Sequence, residues 1–78
     1  MHDIFAALKQ RHLCDDLSDF ETRWLGVSRR YLQVFGEPSV KPCLRLYVRL
    51  INIGPQQGDL AALVWSRMVS KLNEKENG

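Results

Sequence analysis

Arg29, Arg30 and Gln33 stand within five residues of one another, and Lys41, Arg45 and Arg49 follow at spacings of four. These side chains suit two kinds of chemistry. A guanidinium can donate to O6 and N7 of a guanine together, or to two oxygens of a phosphate, and a glutamine amide can donate to N7 of an adenine while its oxygen accepts from the N6 amino group. Cations repeated every four residues share one side of a helix, so Lys41, Arg45 and Arg49 form a stripe suited to the charges of a polyanion. Arg23 adds a cation upstream. The balance along the chain singles out the same region: two basic side chains against five acidic over residues 1–22, six against one over 23–49, and three against three in the remainder. A formal total of +2 therefore hides a basic middle segment, the sequence form of a localised phosphate-binding face. An ordinary solvated surface is the plainer explanation of the same charges.

Helices must position these residues. Asp3 can cap a first helix over 3–12, with Ile4, Phe5 and Leu8 on its inner side. Asp15 and Asp16 suit a connector. Ser18 and Glu21 have the spacing of a capping box, opening a helix over 18–25 whose apolar side is Phe20, Trp24 and Leu25. Gly26 supplies the turn. Ser28 can then cap a helix over 28–35 that buries Tyr31, Leu32 and Phe35 and leaves Arg29, Arg30 and Gln33 outward, with Gly36 as its stop.

Ser39 opens a helix over 39–53 with Pro42 in its first turn, Cys43, Leu46, Tyr47, Leu50 and Ile53 inward, and Gly54-Pro55 as its end. Asp59 can cap a last helix over 59–73, which carries a broad stripe of Leu60, Ala61, Val64, Trp65, Met68, Val69 and Leu72. Within it Ala61, Trp65, Met68 and Leu72 are spaced four, three and four apart, so Trp65, Met68 and Leu72 are candidates for a contact with a second subunit. Packing within one small core is the alternative. From Asn73 the chain is polar and is expected to fray. The pattern predicts an all-α fold, a compact bundle of about five short helices, divided into a domain over 1–54 and a C-terminal helical segment over 55–78.

From Ser18 to Leu50 the chain resembles helix-turn-helix DNA-binding proteins of the phage repressor and Cro-like class. Thr22 sits where that family keeps a small residue, Gly26 lies in the turn, and Val27-Ser28 continues it. Leu32 and Phe35 take the buried positions of the second helix, and Pro38-Ser39 precede the next. Glu21 departs from the pattern, standing where an aliphatic residue is usual, and the loop after Phe35 is trimmed to Gly36 and Glu37. The run F-E-T-R-W-L-G-V-S-R-R-Y is also similar to short bacterial proteins with the pattern F-x-x-x-W-L-G-x-S-x-x-Y, a likeness that carries no role. The resemblance implies a lambda-repressor-like fold and a small bacterial or phage transcriptional regulator that binds operator DNA. Ser28, Arg29, Arg30 and Gln33 would meet base edges in the major groove, and Arg23, Lys41, Arg45 and Arg49 would meet phosphates. So small a unit would act as a homodimer on double-stranded DNA.

A protein-interaction module, such as a phage-type inhibitor or adaptor, is the second reading, and exposure of Trp24 or Trp65 would favour it. Catalysis has little to stand on. His12 and Cys14 are two apart beside Asp15 and Asp16, but such a pair does not face one way on a helix. His2, His12, Cys14 and Cys43 lack regular metal-ligand spacing, so no metal, cofactor or small-molecule ligand is expected. No apolar run approaches the roughly 20 residues of a membrane span, and M-H-D-I-F lacks the basic-then-apolar order of a signal peptide. Two cysteines without that signal read as free thiols, so the expected compartment is the cytoplasm.

Overall fold

The computed structural model describes residues 1–77, with side chains described to Asn73. The described residues are all helical apart from turns and contain no strand. Five helices follow in order: α1 (His2–Gln10), α2 (Leu17–Asp19, running on as a π-helix over Phe20–Leu25), α3 (Tyr31–Phe35), α4 (Val40–Ile53) and α5 (Gly58–Asn77). A single 3-10 turn, Pro55–Gln57, precedes α5. The chain forms two compact units, Met1–Pro38 and Ser39–Gly78. α4, which the sequence pattern groups with the first three helices, therefore belongs with α5.

In the first unit α1 ends two residues short of the expected His12. His12 takes the left-handed conformation at φ 61. Its amide donates to the Lys9 carbonyl and that of Leu13 to the Leu8 carbonyl, the paired bonds that close a helix C-terminus. Asp3 lies inside the first turn, after Met1. Ile4 and Leu8 are fully buried, and Phe5 meets Phe20 with ring centroids 5.6 Å apart.

The capping box expected at Ser18 and Glu21 does not form. Asp16 is the cap, its carboxylate accepting from the Asp19 amide at 2.8 Å, so the helix starts at Leu17 and both residues fall in its interior. The π-helical segment bonds at a spacing of five, which keeps residues four and five apart on one side. Phe20, Glu21, Trp24 and Leu25 are accordingly all buried. Gly26 ends this helix at φ 70, a conformation open to glycine at little cost.

In the second unit α4 and α5 pack on each other through the sides that bury Cys43, Leu46 and Leu50 on one and Leu60, Ala61, Val64 and Met68 on the other. Ser39 precedes α4 without a side-chain bond to it, Pro42 lies in its first turn, and Gly54 follows it at φ 138. Asp59 is within α5 rather than its cap, because Pro55–Gln57 already lead into the helix at Gly58. Helix continues to Asn77, past the expected fraying point at Asn73. The inward stripe is narrower than the apolar stripe. Ile53 on α4 and Trp65, Val69 and Leu72 on α5 are between 38% and 50% exposed, since two packed helices bury only the sides they turn to each other.

Candidate nucleic-acid interface

In the first unit the backbone at Arg30 is held by an acidic residue. Glu21 is 2% exposed, and its carboxylate reaches across to the start of α3. There Oε1 accepts from the Arg30 amide at 3.1 Å and Oε2 accepts from the Leu32 amide at 2.9 Å. A five-residue helix leaves its first amides without intrahelical partners, and a carboxylate both satisfies them and suits the positive end of the helix. The residue that departs from the helix-turn-helix pattern is thus the clasp of the turn. No local spacing rule announces it, because its partners lie nine and eleven residues downstream.

That clasp changes the second helix of the expected motif. α3 begins at Tyr31 rather than Ser28, and Arg30 immediately before it is left-handed at φ 67 and ψ 8. Ser28 and Arg29 belong to the turn, in which the Ser28 carbonyl accepts from the Tyr31 amide. Ser28, Arg29, Arg30 and Gln33 are all exposed. Leu32 is buried, but Phe35, expected in the core, is 67% exposed. Four residues after Tyr31, it lies against that half-buried ring, centroids 4.8 Å apart, on the flank of the helix and not beneath it. Since Glu21 takes the Arg30 and Leu32 amides, these two do not serve a phosphate. Contact with an anion here falls to the arginine side chains.

Arg23 is engaged within its own unit. Its Nε lies 3.1 Å from Asp19 Oδ1, and a terminal guanidinium nitrogen donates to the Leu13 carbonyl at 3.2 Å. Expected on a phosphate, it is a tie between α2 and the preceding connector. Lys41, Arg45 and Arg49 of the second unit stand exposed along α4, a row about 12 Å long at the helical rise of 1.5 Å per residue. Among the described residues, none of Arg29, Arg30, Lys41, Arg45 and Arg49 makes a side-chain ion pair or hydrogen bond.

Of the three residues expected at a subunit contact, Trp65 and Leu72 are about half exposed, while Met68 is 3% exposed and fills the interior of its unit. Leu44, Val48 and Ile51, absent from the expected core of α4, are also solvent-facing, at 42% to 49%. Their spacing of four and three was a readable signal of a second apolar row.

Cys14 is a weak nucleophile. Its thiol is buried, and burial together with nearby Asp19 pushes its pKa from 9.0 up to about 11. Among the described residues no three His, Cys, Asp or Glu side chains gather as a metal site, and no helix is long and apolar enough to cross a membrane. No family model, curated protein or solved structure matches the chain.

Proposed function

We propose that the protein binds double-stranded DNA as a small, non-catalytic transcriptional regulator, with Arg29, Arg30 and Gln33 at base edges and Lys41, Arg45 and Arg49 on phosphates. One observation carries the reading. Arg30 occupies a left-handed backbone position, at φ 67, where glycine would sit without strain, a difference of about 1 kcal/mol. Its backbone amide is held by Glu21, yet its guanidinium joins no ion pair or hydrogen bond among the described residues. A long cation kept at a strained position it does not help to stabilise is the kind of outlier from which a functional role is inferred. The helix-turn-helix resemblance supplies the role, and the unpaired row on α4 supplies the electrostatic affinity.

Two copies acting on paired half-sites would give so small a chain enough contact area for operator DNA. A second reading, a protein-interaction module, is favoured by Trp65, which is 50% exposed; Trp24, at 5%, does not contribute to it.

The experiment is fluorescence anisotropy with duplexes selected from a random pool, at several salt concentrations. Arg30→Gly is expected to raise the urea midpoint of unfolding while weakening the selected duplex by about tenfold or more. Arg45→Ala is expected to weaken all duplexes alike and reduce the salt slope by about 0.9. Absence of salt-dependent binding to any duplex would overturn the proposal.

A further inference from the structure

The second unit carries an apolar face that its own packing does not use. Leu44, Val48 and Ile51 on α4 are 46%, 42% and 49% exposed, and Trp65, Val69 and Leu72 on α5 are 50%, 38% and 47% exposed. Tyr47 lies three residues after Leu44 and four before Ile51, so it borders the α4 row; Trp65 heads the α5 row at spacings of four and seven. The rings of Tyr47 and Trp65 are in contact, with centroids 5.3 Å apart. The two rows therefore lie side by side on one face of the hairpin.

Half-exposed side chains of these sizes amount to on the order of 500 Å² of apolar surface in one copy, the upper end of what a monomer shows in a single patch. Two such faces together would remove about 1,000 Å² from water, the threshold for a specific interface.

We propose that a second copy of the chain covers this face, so that two α4–α5 hairpins form an antiparallel four-helix bundle with α4 of each lying over α5 of the other. The pairing rests on the two-copy reading given above and names its surface. Charge selects the arrangement. Beyond Val48, the rim of the face on α4 is the row Lys41, Arg45 and Arg49; beyond Val69, the rim on α5 is Asp59, Ala62, Ser66 and Asn73, exposed and without a cation. A twofold axis across the helices would set α4 over α4 and run two cationic rows along one seam, which like charges oppose. A twofold axis along the helices sets each cationic row beside the other copy's cation-free rim. That leaves the cations in solvent.

The same axis fixes the register. Tyr47 and Trp65 share a level, and the helices run in opposite directions. Three residues back along α4 and four onward along α5, Leu44 and Val69 share a level too. An axis parallel to the helices preserves level, so Leu44 faces Val69 of the partner subunit.

Sedimentation equilibrium of the full chain without DNA is expected to show a reversible dimer. Val48→Glu is expected to weaken it by roughly 30-fold or more with an unchanged helical circular dichroism spectrum. Under mild oxidation, a mixture of Leu44→Cys and Val69→Cys proteins should give a disulfide-linked heterodimer that neither protein gives alone. A chain monomeric at every concentration, including one that binds another protein through this face, would overturn the proposal. Self-crosslinking of Leu44→Cys as readily as its crosslinking to Val69→Cys would overturn it as well. Because no DNA is present, a monomeric result leaves the DNA-binding reading standing, and loss of DNA binding leaves the dimer standing.

Discussion

Replacing Glu21 by leucine separates the fold observed here from the one that the helix-turn-helix resemblance alone would draw. In that pattern an aliphatic side chain is at home at this position, and the substitution should be neutral or favourable. In this structure the carboxylate accepts from the Arg30 and Leu32 amides at 3.1 and 2.9 Å from a buried position. Leucine would remove both bonds and leave donors without partners. Hydrogen bonds to a charged acceptor contribute about 1.5–3 kcal/mol each, so the expected loss of two is about 3–6 kcal/mol. That is a large part of the roughly 5–15 kcal/mol that holds a typical domain folded. Glutamine keeps one acceptor oxygen but turns an NH₂ group toward the other amide, and should cost about 1.5–3 kcal/mol. The expected order of stability is therefore glutamate, then glutamine, then leucine. Urea unfolding followed by far-ultraviolet circular dichroism measures that order, and amide hydrogen exchange at Arg30 and Leu32 reports the clasp itself. A Glu21→Leu protein as stable as the parent, with exchange at both amides unchanged, would refute the reasoning.

Other consequences are open to direct measurement. With its pKa raised from 9.0 to about 11, the Cys14 thiol should alkylate near pH 8 about 100-fold more slowly than a free cysteine, because the thiolate is the reactive form. The linkage has a definite sign: the folded state holds this proton more tightly than the unfolded chain, so Cys14's contribution to stability is complete below pH 9 and is lost as pH rises toward 11. Urea midpoints measured across that window should fall more steeply for the parent than for Cys14→Ala. His12→Gly should raise the thermal midpoint by relieving the left-handed residue at φ 61, with a gain of about 0.5–1 kcal/mol.

Helical periodicity and glycine or proline punctuation made most of the fold legible in the sequence. The five-helix, all-α character was readable, as were the stops at Gly26, Gly36 and Gly54-Pro55 and the burial of Ile4, Leu8, Trp24, Leu46 and Leu50. The bounds moved wherever a nonlocal bond or a competing local one prevailed. Asp16 outbid Ser18 as a cap from two residues upstream, and Glu21, freed from the capping box, satisfied α3 instead. The start of α3 depends on that distant carboxylate, which nothing around Ser28 reveals. The charge count singled out Lys41, Arg45 and Arg49, which stand exposed along α4. It had no means of showing that Arg23 is held by Asp19 and the Leu13 carbonyl. Met68 and Leu72 shared one stripe, and the stripe was wider than a single neighbouring helix could cover.

The α4–α5 hairpin also bears on how quickly the chain reaches its native state. Only Gly54 and the turn Pro55–Gln57 separate its two helices, so the pair meets across a very short loop. The Glu21 clasp likewise joins residues nine and eleven positions apart. Loops of that length close in about 10–100 ns, and helical proteins dominated by such nearby pairings fold in microseconds to milliseconds. Each unit is therefore expected to search few wrong arrangements before its contacts form. The proposed pairing of two copies would be the slower event, with a rate that rises with concentration, which stopped-flow refolding at different protein concentrations would separate.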